Sequence, residues 1–496
     1  MFPEFTLRYA RLPGRFYERF DPVPVPAPRL VAFNRALAEQ LGFDLADVDE
    51  ARAAEWFAGN VVPAGAEPLA QAYAGHQFGH FNPRLGDGRA VLLGEVTDRD
   101  GRLRDIQLKG AGMTPFSRGA DGRAPLGPVL REYLVSEAMY RLGVPTTRAL
   151  AAVTTGERVF RRVPEPGAVL TRVASSHLRV GTFQYFAARD DLEAIRTLAD
   201  LAIERHYPAL QGLEGGERYT ALLEAVAERQ AALVAKWMGL GFIHGVMNTD
   251  NCTISGETID YGPCAFMEAH DPAMVFSSID EQGRYAYRNQ PWLAQWNLAR
   301  LAETLIPLID DDRQRAIEQA TEVIKRYEPR YEAEWLAVMR EKLGLAREEA
   351  GDRELVEAFL EAMHAGRADF TLAFRRLSEA VEEGEAVEED ASALLALFES
   401  DGALRTWLPR WRERLAREEA SPLAIAARME AVNPLYIPRN HQVERAIAAA
   451  AEHDDFGPFE ALAEVLAEPF TEQPGREEYA QPAPPTERVF RTFCGT

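Results

Sequence analysis

Lysine is scarce in this chain. Of the 55 lysine and arginine residues only four are lysine, at positions 109, 236, 325 and 342. A general preference for arginine explains the shortage, but it also makes each remaining lysine informative. Lys109 alone lies at the end of a strand-like segment beside glycine-rich stretches. A compact ammonium suits such a position better than a planar guanidinium, so we predict a functional role for Lys109.

Positive charge is in deficit overall. The 77 acidic residues outnumber the basic ones and give a formal net charge of -22 and a pI near 5.0. Non-specific binding of nucleic acid depends on neutralising phosphates, so it is excluded as a function. Any site for a nucleotide must therefore be a local positive pocket within a negative field.

Cysteine and long apolar runs are also rare. The three cysteines, Cys252, Cys264 and Cys494, are too few for a disulfide framework and lack the spacing of zinc ligands. No apolar run approaches the roughly 20 residues of a membrane-spanning helix. Residues 1–11 lack the basic start and apolar segment of a signal peptide. We therefore predict a cytoplasmic protein with no membrane partner.

What is present is an ordinary globular composition, with 47% hydrophobic and 27% charged residues. A chain of 496 residues exceeds what one core usually organises, so two or three packed units are expected. The predicted fold class is α+β. Four parts are expected: an irregular lead-in at 1–60, a β-rich nucleotide-binding segment at 61–188, a mainly helical segment at 189–420, and a helical C-terminal extension with a cysteine tail at 421–496.

Local patterns predict the principal elements. Strands are expected at 90–96 and 103–109, joined through the hairpin sequence Asp100-Gly101. A run of acids at 379–390 is interpreted as a solvated loop. Helical periodicity predicts helices at 126–142, 218–240, 291–309, 312–344, 352–365, 403–416 and 441–451.

The helix at 126–142 offers two carboxylates as a partner for Lys109. Glu137 lies within the apolar stripe of this helix, and Glu132 lies outside it. The periodicity favours Glu137 as the partner in a lysine–glutamate pair of the kinase type. A helix can turn two faces to different neighbours, so both residues stay open.

The segment 244–251, His-Gly-Val-Met-Asn-Thr-Asp-Asn, is followed by Asp-Tyr-Gly at 260–262. Kinases share the pattern H-[GR]-D-x-x-x-x-N and then D-F-G, in which the first Asp orients the acceptor hydroxyl and the Asn and second Asp hold magnesium. Asn251 and Asp260 match the magnesium ligands. Val246 stands where the catalytic base belongs and cannot accept a proton, and a new carboxylate, Asp250, precedes Asn251.

This loop, 244–263, is predicted to hold a metal and a nucleotide and to do something other than ordinary γ-phosphoryl transfer. Magnesium keeps several of its waters, so one amide and one carboxylate together with phosphate oxygens suffice as ligands. The alternative is a turn rich in Asp and Asn without a metal.

Three glycine-rich stretches and two arginines complete the candidate site. Glycine lets backbone amides approach a phosphate, although ordinary hairpin turns explain each stretch equally well by itself. Arg172 and Arg179 could clamp a triphosphate through bidentate contacts. In so arginine-rich a chain, surface salt bridges explain them better from the residues alone. The glycine-rich stretches lie at 85–89, 109–112 and 119–123.

Together these residues resemble the selenoprotein O family, a branch of the protein-kinase-like fold. The resemblance covers nearly the whole chain and implies two lobes, β-rich at the N-terminus and helical at the C-terminus. The strings that carry it are A-G-H-Q-F-G at 74–79, N-P-R-L-G-D-G-R at 82–89, Q-L-K-G-A-G at 107–112, V-S-E-A-M at 135–139, H-G-V-M-N-T-D-N at 244–251, D-Y-G-P at 260–263 and N-P-L-Y-I-P-R-N-H at 433–441.

The resemblance implies a protein adenylyltransferase, which transfers AMP from ATP to Ser, Thr or Tyr hydroxyls of target proteins and releases pyrophosphate. ATP is bound in an orientation reversed from that of kinases, which brings its α-phosphate to the metal and the acceptor. At the matching positions, Asp250 is the proton acceptor, and Asn251 and Asp260 hold Mg2+, with Mn2+ as an alternative. The nucleotide is bound by Gly86, Gly88, Arg89, Lys109, Asp121, Gly122, Arg172, Arg179 and Asp260.

The resemblance also implies redox regulation, because some family members pair a C-terminal cysteine or selenocysteine with a cysteine of the activation-loop region. Cys494 fits the terminal position. The stretch 272–282 contains no cysteine, and Cys264, upstream of it, could substitute.

Three other functions are kept beside adenylyl transfer. They are a phosphotransferase acting on small molecules or proteins, a protein uridylyltransferase that uses UTP with manganese, and a non-catalytic nucleotide-binding scaffold, which the missing base at Val246 suggests. The expected partners are ATP and protein substrates bearing hydroxyl groups, and the chain is expected to act as a monomer.

Overall fold

The computed structural model describes residues 2–44, 49–161, 163–381 and 391–493. The acidic run from residue 382 to 390 and Cys494 therefore lie outside the described residues. The strands, in chain order, are β1 (Phe5–Thr6), β2 (Tyr17–Arg19), β3 (Arg29–Phe33), β4 (Leu69–Gln71), β5 (Gly75–Gln77), β6 (His80–Asn82), β7 (Ala90–Thr97), β8 (Leu103–Lys109), β9 (Ala124–Pro125), β10 (Arg148–Phe160), β11 (Pro164–Ala174), β12 (Phe242–Ile243) and β13 (Ala265–Phe266).

Nine of these described strands form one antiparallel sheet. Its order is β2-β4-β7-β8-β11-β10-β3, with β1 paired to β7 and β9 paired to β11. β5 and β6 form a separate hairpin, and β12 pairs with β13. The central strands β7, β8, β10 and β11 are largely buried, as expected for strands covered on both faces.

The predicted hairpin at the centre of the sheet is confirmed as β7 and β8, with β7 one residue longer than expected. Gly101 takes φ +77 in the turn, a conformation that glycine adopts without strain. The Asp98 carboxylate accepts hydrogen bonds from the backbone N–H groups of Asp100 and Arg102, at 3.0 and 2.8 Å. The turn therefore fixes the register that brings Ala90 opposite Lys109.

The prediction of an irregular lead-in at 1–60 is wrong. These residues contribute β1, β2 and β3 to the main sheet, and they contain two helices. Asn34 and Asp49 cap the two helices by accepting from backbone N–H groups three residues ahead. The strands are only two to five residues long, too short for an alternating pattern to reveal them.

The helices dominate the C-terminal half of the chain. In chain order they are α1 (Arg35–Gln40), α2 (Glu50–Ala58), α3 (Leu126–Arg141), α4 (Val180–Ala187), α5 (Leu192–His206), α6 (Gly215–Leu240), α7 (Gln290–Ile309), α8 (Arg313–Lys325), α9 (Tyr327–Lys342), α10 (Asp352–Ala365), α11 (Phe370–Leu377), α12 (Ser392–Leu395), α13 (Gly402–Leu415), α14 (Pro422–Val432), α15 (Asn440–His453) and α16 (Gly457–Leu466).

One long helix predicted at 312–344 is instead two. α8 ends at Lys325 and α9 begins at Tyr327, and the junction is Arg326. Pro329 lies in the first turn of α9. Proline has no N–H to donate and is best accommodated in the first turn of a helix, so its position favours a new helix that begins at Tyr327 over one uninterrupted helix.

α3 packs between the sheet and two helices near the C-terminus. One side of it packs against β10 and β11, and the other side packs against α15 and α16. α6 packs against α7 and α9 in the largest apolar core. Among the described residues, no helix is both long and apolar enough to cross a membrane. The chain is thus a mixed α and β protein built around a large antiparallel sheet.

Candidate functional site

A cleft of about 470 Å³ lies between the central strands of the sheet and the segment 250–260. Seven basic and four acidic side chains line it, so it is a positive pocket in a chain of negative net charge, as the composition required. All eleven residues predicted for the site are in its wall. They are Gly86, Gly88, Arg89, Lys109, Asp121, Gly122, Arg172, Arg179, Asp250, Asn251 and Asp260.

Glu132 is the carboxylate partner of Lys109. Lys109 Nζ lies 2.6 Å from Glu132 Oε2. Arg172, on the neighbouring strand β11, donates from Nε to Glu132 Oε1 at 2.7 Å. The pKa of Glu132, which burial alone raises, is held below its ordinary value by Arg172 and Lys109. One buried carboxylate thus fixes two cations of the cleft.

The preference of the periodicity for Glu137 is wrong. Glu137 accepts from Arg148 at 2.8 and 2.6 Å and from the backbone N–H of Ala149 at 2.9 Å, away from Lys109. α3 is covered by the sheet on one side and by α15 and α16 on the other. An apolar stripe on such a helix does not identify which side faces the lysine.

Asp260 belongs to the same network of charged side chains and is its more exposed carboxylate. Its Oδ1 lies 2.5 Å from Lys109 Nζ and 3.4 Å from Arg172 Nη2, and its side chain is 30% exposed. Burial alone raises the pKa of Asp260, but the charges of Lys109, Arg172 and Arg89 outweigh it and bring the pKa well below its ordinary value. Asp260 takes φ +67, a left-handed conformation that is costly for a residue other than glycine and is typical of functional sites.

Asp250 lies in a single helical turn, Thr249–Asn251, and lines the same cleft. Gln77 Nε2 donates to Asp250 Oδ2 at 3.3 Å, while the buried Oδ1 has no hydrogen-bond partner among the residues that the structure describes. Burial raises the pKa of Asp250 to about 6, against the opposing charge of Arg179. A carboxylate with a pKa raised toward neutrality is suited to accept a proton from a reacting hydroxyl.

Gly75 and Gly181 lie close to Asp250 and leave space for it because they have no side chain. A Cβ built on Gly75 would lie 2.6 Å from Asp250 Oδ1, closer than atoms can approach. A Cβ on Gly181 would lie 2.1 Å from the carbonyl oxygen of Ala74. Gly75 belongs to the string at 74–79, whose packing role was not foreseen from the sequence.

Asn251 and the backbone around it form a rigid loop. Asn251 Nδ2 donates to the carbonyl of Val246 at 3.1 Å, so the amide oxygen is not used by this bond. His244 bridges the loop to the residue before Asp260, with Nε2 2.9 Å from the carbonyl oxygen of Ile259. Val246 is buried and is not in the wall of the cleft, so position 246 could not supply a base there.

Asn251 and Asp260 have the oxygen donors that magnesium prefers, and both line the cleft. Within the described ranges, no three His, Cys, Asp or Glu side chains form a ready-made cage for a metal. Magnesium characteristically takes one or two carboxylates plus phosphate oxygens from its substrate. The donor set therefore fits a magnesium ion that enters together with a nucleotide.

Arg172 and Arg179 are both buried, so surface salt bridges do not explain these two arginines. The Arg179 guanidinium lies over the ring of Tyr73, 4.4 Å from its centroid, and donates to the carbonyl of Asp250 at 3.2 Å. Arg172 is fixed by Glu132. Each guanidinium is thus held in a set orientation toward the cleft.

Residues of the glycine-rich stretches also line the cleft. Gly122 takes φ +67 and crosses the backbone of Gly112 so closely that a Cβ would lie 2.1 Å from it. The carboxylate of Asp121 accepts from Arg161 at 2.8 and 3.0 Å, and this bond lowers its pKa. Sequence reasoning missed several lining residues, namely Tyr73, Gln77, Phe116, Ser117, Arg118 and Arg161.

Cys264 is buried, and burial raises the pKa of its thiol to about 12. The C-terminal tail reaches the same loop, where Thr492 Oγ1 donates to the carbonyl of Pro263 at 2.5 Å. Because Cys494 lies outside the described residues, its pairing with Cys264 stays a prediction.

The comparisons with known proteins identify the family of this chain. The model of the family described as "Protein adenylyltransferase SelO" matches residues 2–467. A protein nucleotidyltransferase YdiU of Rhizobium rhizogenes is 60% identical over 492 residues, covering 99% of this chain and 97% of that protein. One of Cereibacter sphaeroides is 61% identical over 494 residues, covering 99% of both. Matches of this extent over the whole site show that the chain belongs to the SelO family of protein adenylyltransferases.

Proposed function

We propose that this protein transfers AMP from ATP to hydroxyl groups of Ser, Thr or Tyr in other proteins and releases pyrophosphate. The observation that carries the proposal is the place of Asp250. Its buried carboxylate, one oxygen of which has no hydrogen-bond partner among the described residues, lines the same cleft as Lys109 and Arg172, while Val246 is apolar and not in the wall of that cleft. The resemblance to the family supports the same chemistry.

The charges of the cleft support the following reaction. The acceptor oxygen forms a bond to the α-phosphorus of ATP, and the bond from that phosphorus to the bridging oxygen of the β-phosphate breaks. The hydroxyl proton passes to Asp250. Pyrophosphate leaves with the electron pair of the broken bond. Lys109, Arg172 and Arg179, held in place before substrate arrives, offset the negative charge that develops on the departing phosphates.

Asn251 and Asp260 would hold the magnesium or manganese ion. When bound, such an ion supplies charge neutralisation at the phosphoryl oxygens. Two groups of the chain prepare this position: Val246 fixes the Asn251 amide through its carbonyl, and Lys109 fixes Asp260. We further propose that the sheet and the helical part form two lobes with the nucleotide between them, and that the chain acts as a cytoplasmic monomer.

Labelled nucleotides test the proposal. The protein is incubated with a bacterial lysate and with ATP labelled at either the α- or the γ-phosphate. We expect α-label on protein and labelled pyrophosphate from γ-labelled ATP. Label from the γ-phosphate on an acceptor would instead establish a phosphotransferase. Stronger labelling from α-labelled UTP with manganese would establish uridylyl transfer, and the absence of any transfer with ATP still bound would establish a scaffold.

Gly75→Ala is expected to reduce transfer by about 100-fold, because a small displacement of a catalytic group has an effect of this size. The added Cβ would overlap Asp250 Oδ1 at 2.6 Å and Leu85 Cδ1 at 2.9 Å. Gly402→Ala is the matched control, since a Cβ there has nothing within 4 Å. Initial rates with α-labelled ATP measure the effect. Equal rates for both variants would show that Asp250 does not need its present position.

Glu132→Gln and Glu137→Gln separate the two carboxylates of α3. Both lose buried ion pairs and are expected to lower the melting temperature. Only Glu132→Gln releases Lys109 and Arg172, so only it is expected to reduce kcat/KM for ATP, by about 100-fold. Thermal unfolding and steady-state kinetics are measured on both. A comparable kinetic loss in Glu137→Gln would contradict the assignment.

A further inference from the structure

Aromatic and arginine side chains form an exposed surface beside Asp250. We call it the aromatic surface and define it by Phe81, Arg284, Trp292, Trp296 and Arg300. The Arg284 guanidinium lies 5.7 Å from the ring centroid of Trp292 and 5.0 Å from that of Trp296. The Arg300 guanidinium also lies 5.0 Å from the centroid of the Trp296 ring. Trp292 is 53% exposed and Phe81 is 41% exposed.

The hairpin β5–β6 connects this surface to the site. The backbone N–H of His76 donates to Thr249 Oγ1 at 2.7 Å, and Gln77 donates to Asp250 Oδ2 at 3.3 Å. The His76 ring lies 4.9 Å from the ring of Phe81 and 5.3 Å from that of Trp296. The aromatic surface therefore begins one residue from the side chain that holds Asp250.

The nucleotide cleft and the aromatic surface lie on different sides of this hairpin. Gln77 lines the cleft, whereas none of the five residues of the aromatic surface does so. A nucleotide that fills the cleft would leave the aromatic surface uncovered. An acceptor hydroxyl must nevertheless reach Asp250, and the polypeptide that carries it needs a place to bind.

Arg284 gives the aromatic surface a positive charge that contacts aromatic rings but is paired with no carboxylate of the described residues. Within the described ranges no carboxylate lies within salt-bridge distance of its guanidinium, and its buried Nε has no hydrogen-bond partner. Asp280 accepts from the backbone N–H groups of Arg284 and Tyr285, at 3.0 and 2.7 Å, and not from the guanidinium. In a chain of net charge -22, an arginine without a carboxylate partner is suited to pair with an acidic group of another molecule.

We propose that the aromatic surface binds the acceptor protein, through a segment with an acidic residue and an apolar side chain close to the modified hydroxyl. Exposed tryptophan and arginine are the residues that most often dominate binding energy at protein interfaces. The acidic residue pairs with Arg284, and the apolar side chain packs on Trp292 and Phe81. The inference rests on the proposed function and names the class of its substrate.

Peptide libraries test this inference. Peptides with a central Ser, Thr or Tyr and randomised flanks are labelled with α-labelled ATP, and the flanks of labelled peptides are sequenced. Wild-type protein is expected to select Asp or Glu and an apolar residue at fixed distances from the hydroxyl. Trp292→Ala is expected to raise KM for the best peptide by about tenfold, with kcat and the affinity for ATP unchanged.

Arg284→Glu is expected to replace the preference for acidic flanks by one for Lys or Arg. Two control variants change exposed residues outside the aromatic surface. Leu423→Ala removes an apolar side chain that is 74% exposed, and Arg367→Glu reverses the charge of an arginine that forms a surface ion pair with Glu399. Both are expected to select the same peptides as wild type. Thermal unfolding checks that every variant is folded, and Trp292→Ala, at an exposed position, keeps the test valid if Arg284→Glu does not fold.

The outcomes separate the two proposals. If wild-type protein labels no peptide and no protein, the proposed function and this inference both fail. If it labels peptides but both variants keep the wild-type KM and flank preference, only this inference fails. A wild-type dimer in analytical ultracentrifugation that Trp292→Ala dissociates, with KM unchanged, would instead assign the aromatic surface to a second copy of the chain.

Discussion

Asp250→Asn should lower the rate of AMP transfer to protein by about 1000-fold, the size expected when a positioned general base is lost. Asparagine has the shape of aspartate but cannot take the acceptor proton at neutral pH. Its amide can keep the contact with Gln77, so the walls of the cleft stay in place. Single-turnover transfer from α-labelled ATP to the best acceptor, at saturating nucleotide, measures this step directly.

Binding of ATP and stability should not fall with the rate. The buried Oδ1 of Asp250 has no hydrogen-bond partner, so the carboxylate is a destabilising charge in the nucleotide-free protein. Replacing it with a neutral amide should raise the melting temperature and leave the Kd of ATP equal or lower, because a negative charge near the phosphates is removed. This combination of slower chemistry with intact binding is the mark of a catalytic group and excludes a scaffold.

Asp87→Asn is the matched control. Asp87 is also a buried carboxylate in the wall of the cleft. Its Oδ2 accepts from the backbone N–H of Gln71 at 3.0 Å and from Gln107 at 3.3 Å, and its Oδ1 lies 3.8 Å from Arg179 Nη2. Losing its charge changes the field of the cleft without removing the proposed base. A much smaller loss of rate is expected than for Asp250→Asn. Equal losses in the two variants would show that net charge, and not proton acceptance, sets the rate.

The residues of the site were predictable from the sequence because they stand in short strings with fixed spacing. Asn251 and Asp260 match a known pattern, and Val246 marks by its apolar character where the pattern departs from kinases. Lys109 was identifiable because lysine is so rare here. These features are local, whereas Arg172 and Arg179 were assigned to the site only through the resemblance to the family. All eleven residues line one cleft.

Other parts depend on packing between distant segments, which no local pattern records. Glu132 was not separable from Glu137 because both sides of α3 are covered, one by the sheet and one by helices more than 300 residues away in the chain. Tyr73 orients Arg179 through a ring contact across about a hundred residues. Strands β1 to β3 join the sheet by pairing with later strands, and their own sequences are too short to show it.

Asp260→Asn is the substitution expected to have the second largest effect, a loss of transfer of about 100- to 1000-fold. The variant removes the carboxylate from the proposed pair of metal ligands and leaves only the neutral Asn251. A hard divalent cation prefers a charged oxygen, so its affinity in the ternary complex should fall. Raising the concentration of Mn2+ should restore part of the activity, because manganese binds protein ligands more readily than magnesium does.

Metal binding itself supplies a measurement that does not depend on catalysis. Electron paramagnetic resonance of Mn2+ with a non-hydrolysable ATP analogue should show weaker binding in Asp260→Asn than in wild type. Asp121→Asn is the control, since Asp121 lines the cleft but its carboxylate is engaged by Arg161. That variant should keep the wild-type affinity for Mn2+. Unchanged binding in Asp260→Asn would remove this residue from the metal site.

The metal-free protein provides an independent check on the same residue. Asp260 Oδ1 contacts Lys109 at 2.5 Å and Arg172 at 3.4 Å, so here the carboxylate stabilises the fold and its loss leaves two cations to share Glu132. Asp260→Asn should therefore lower the melting temperature in the presence of a chelator, whereas Asp250→Asn should raise it. Two isosteric changes in one cleft are thus expected to alter stability in opposite directions while both reduce activity. Shifts of the same sign would contradict the charge distribution on which the proposed mechanism depends.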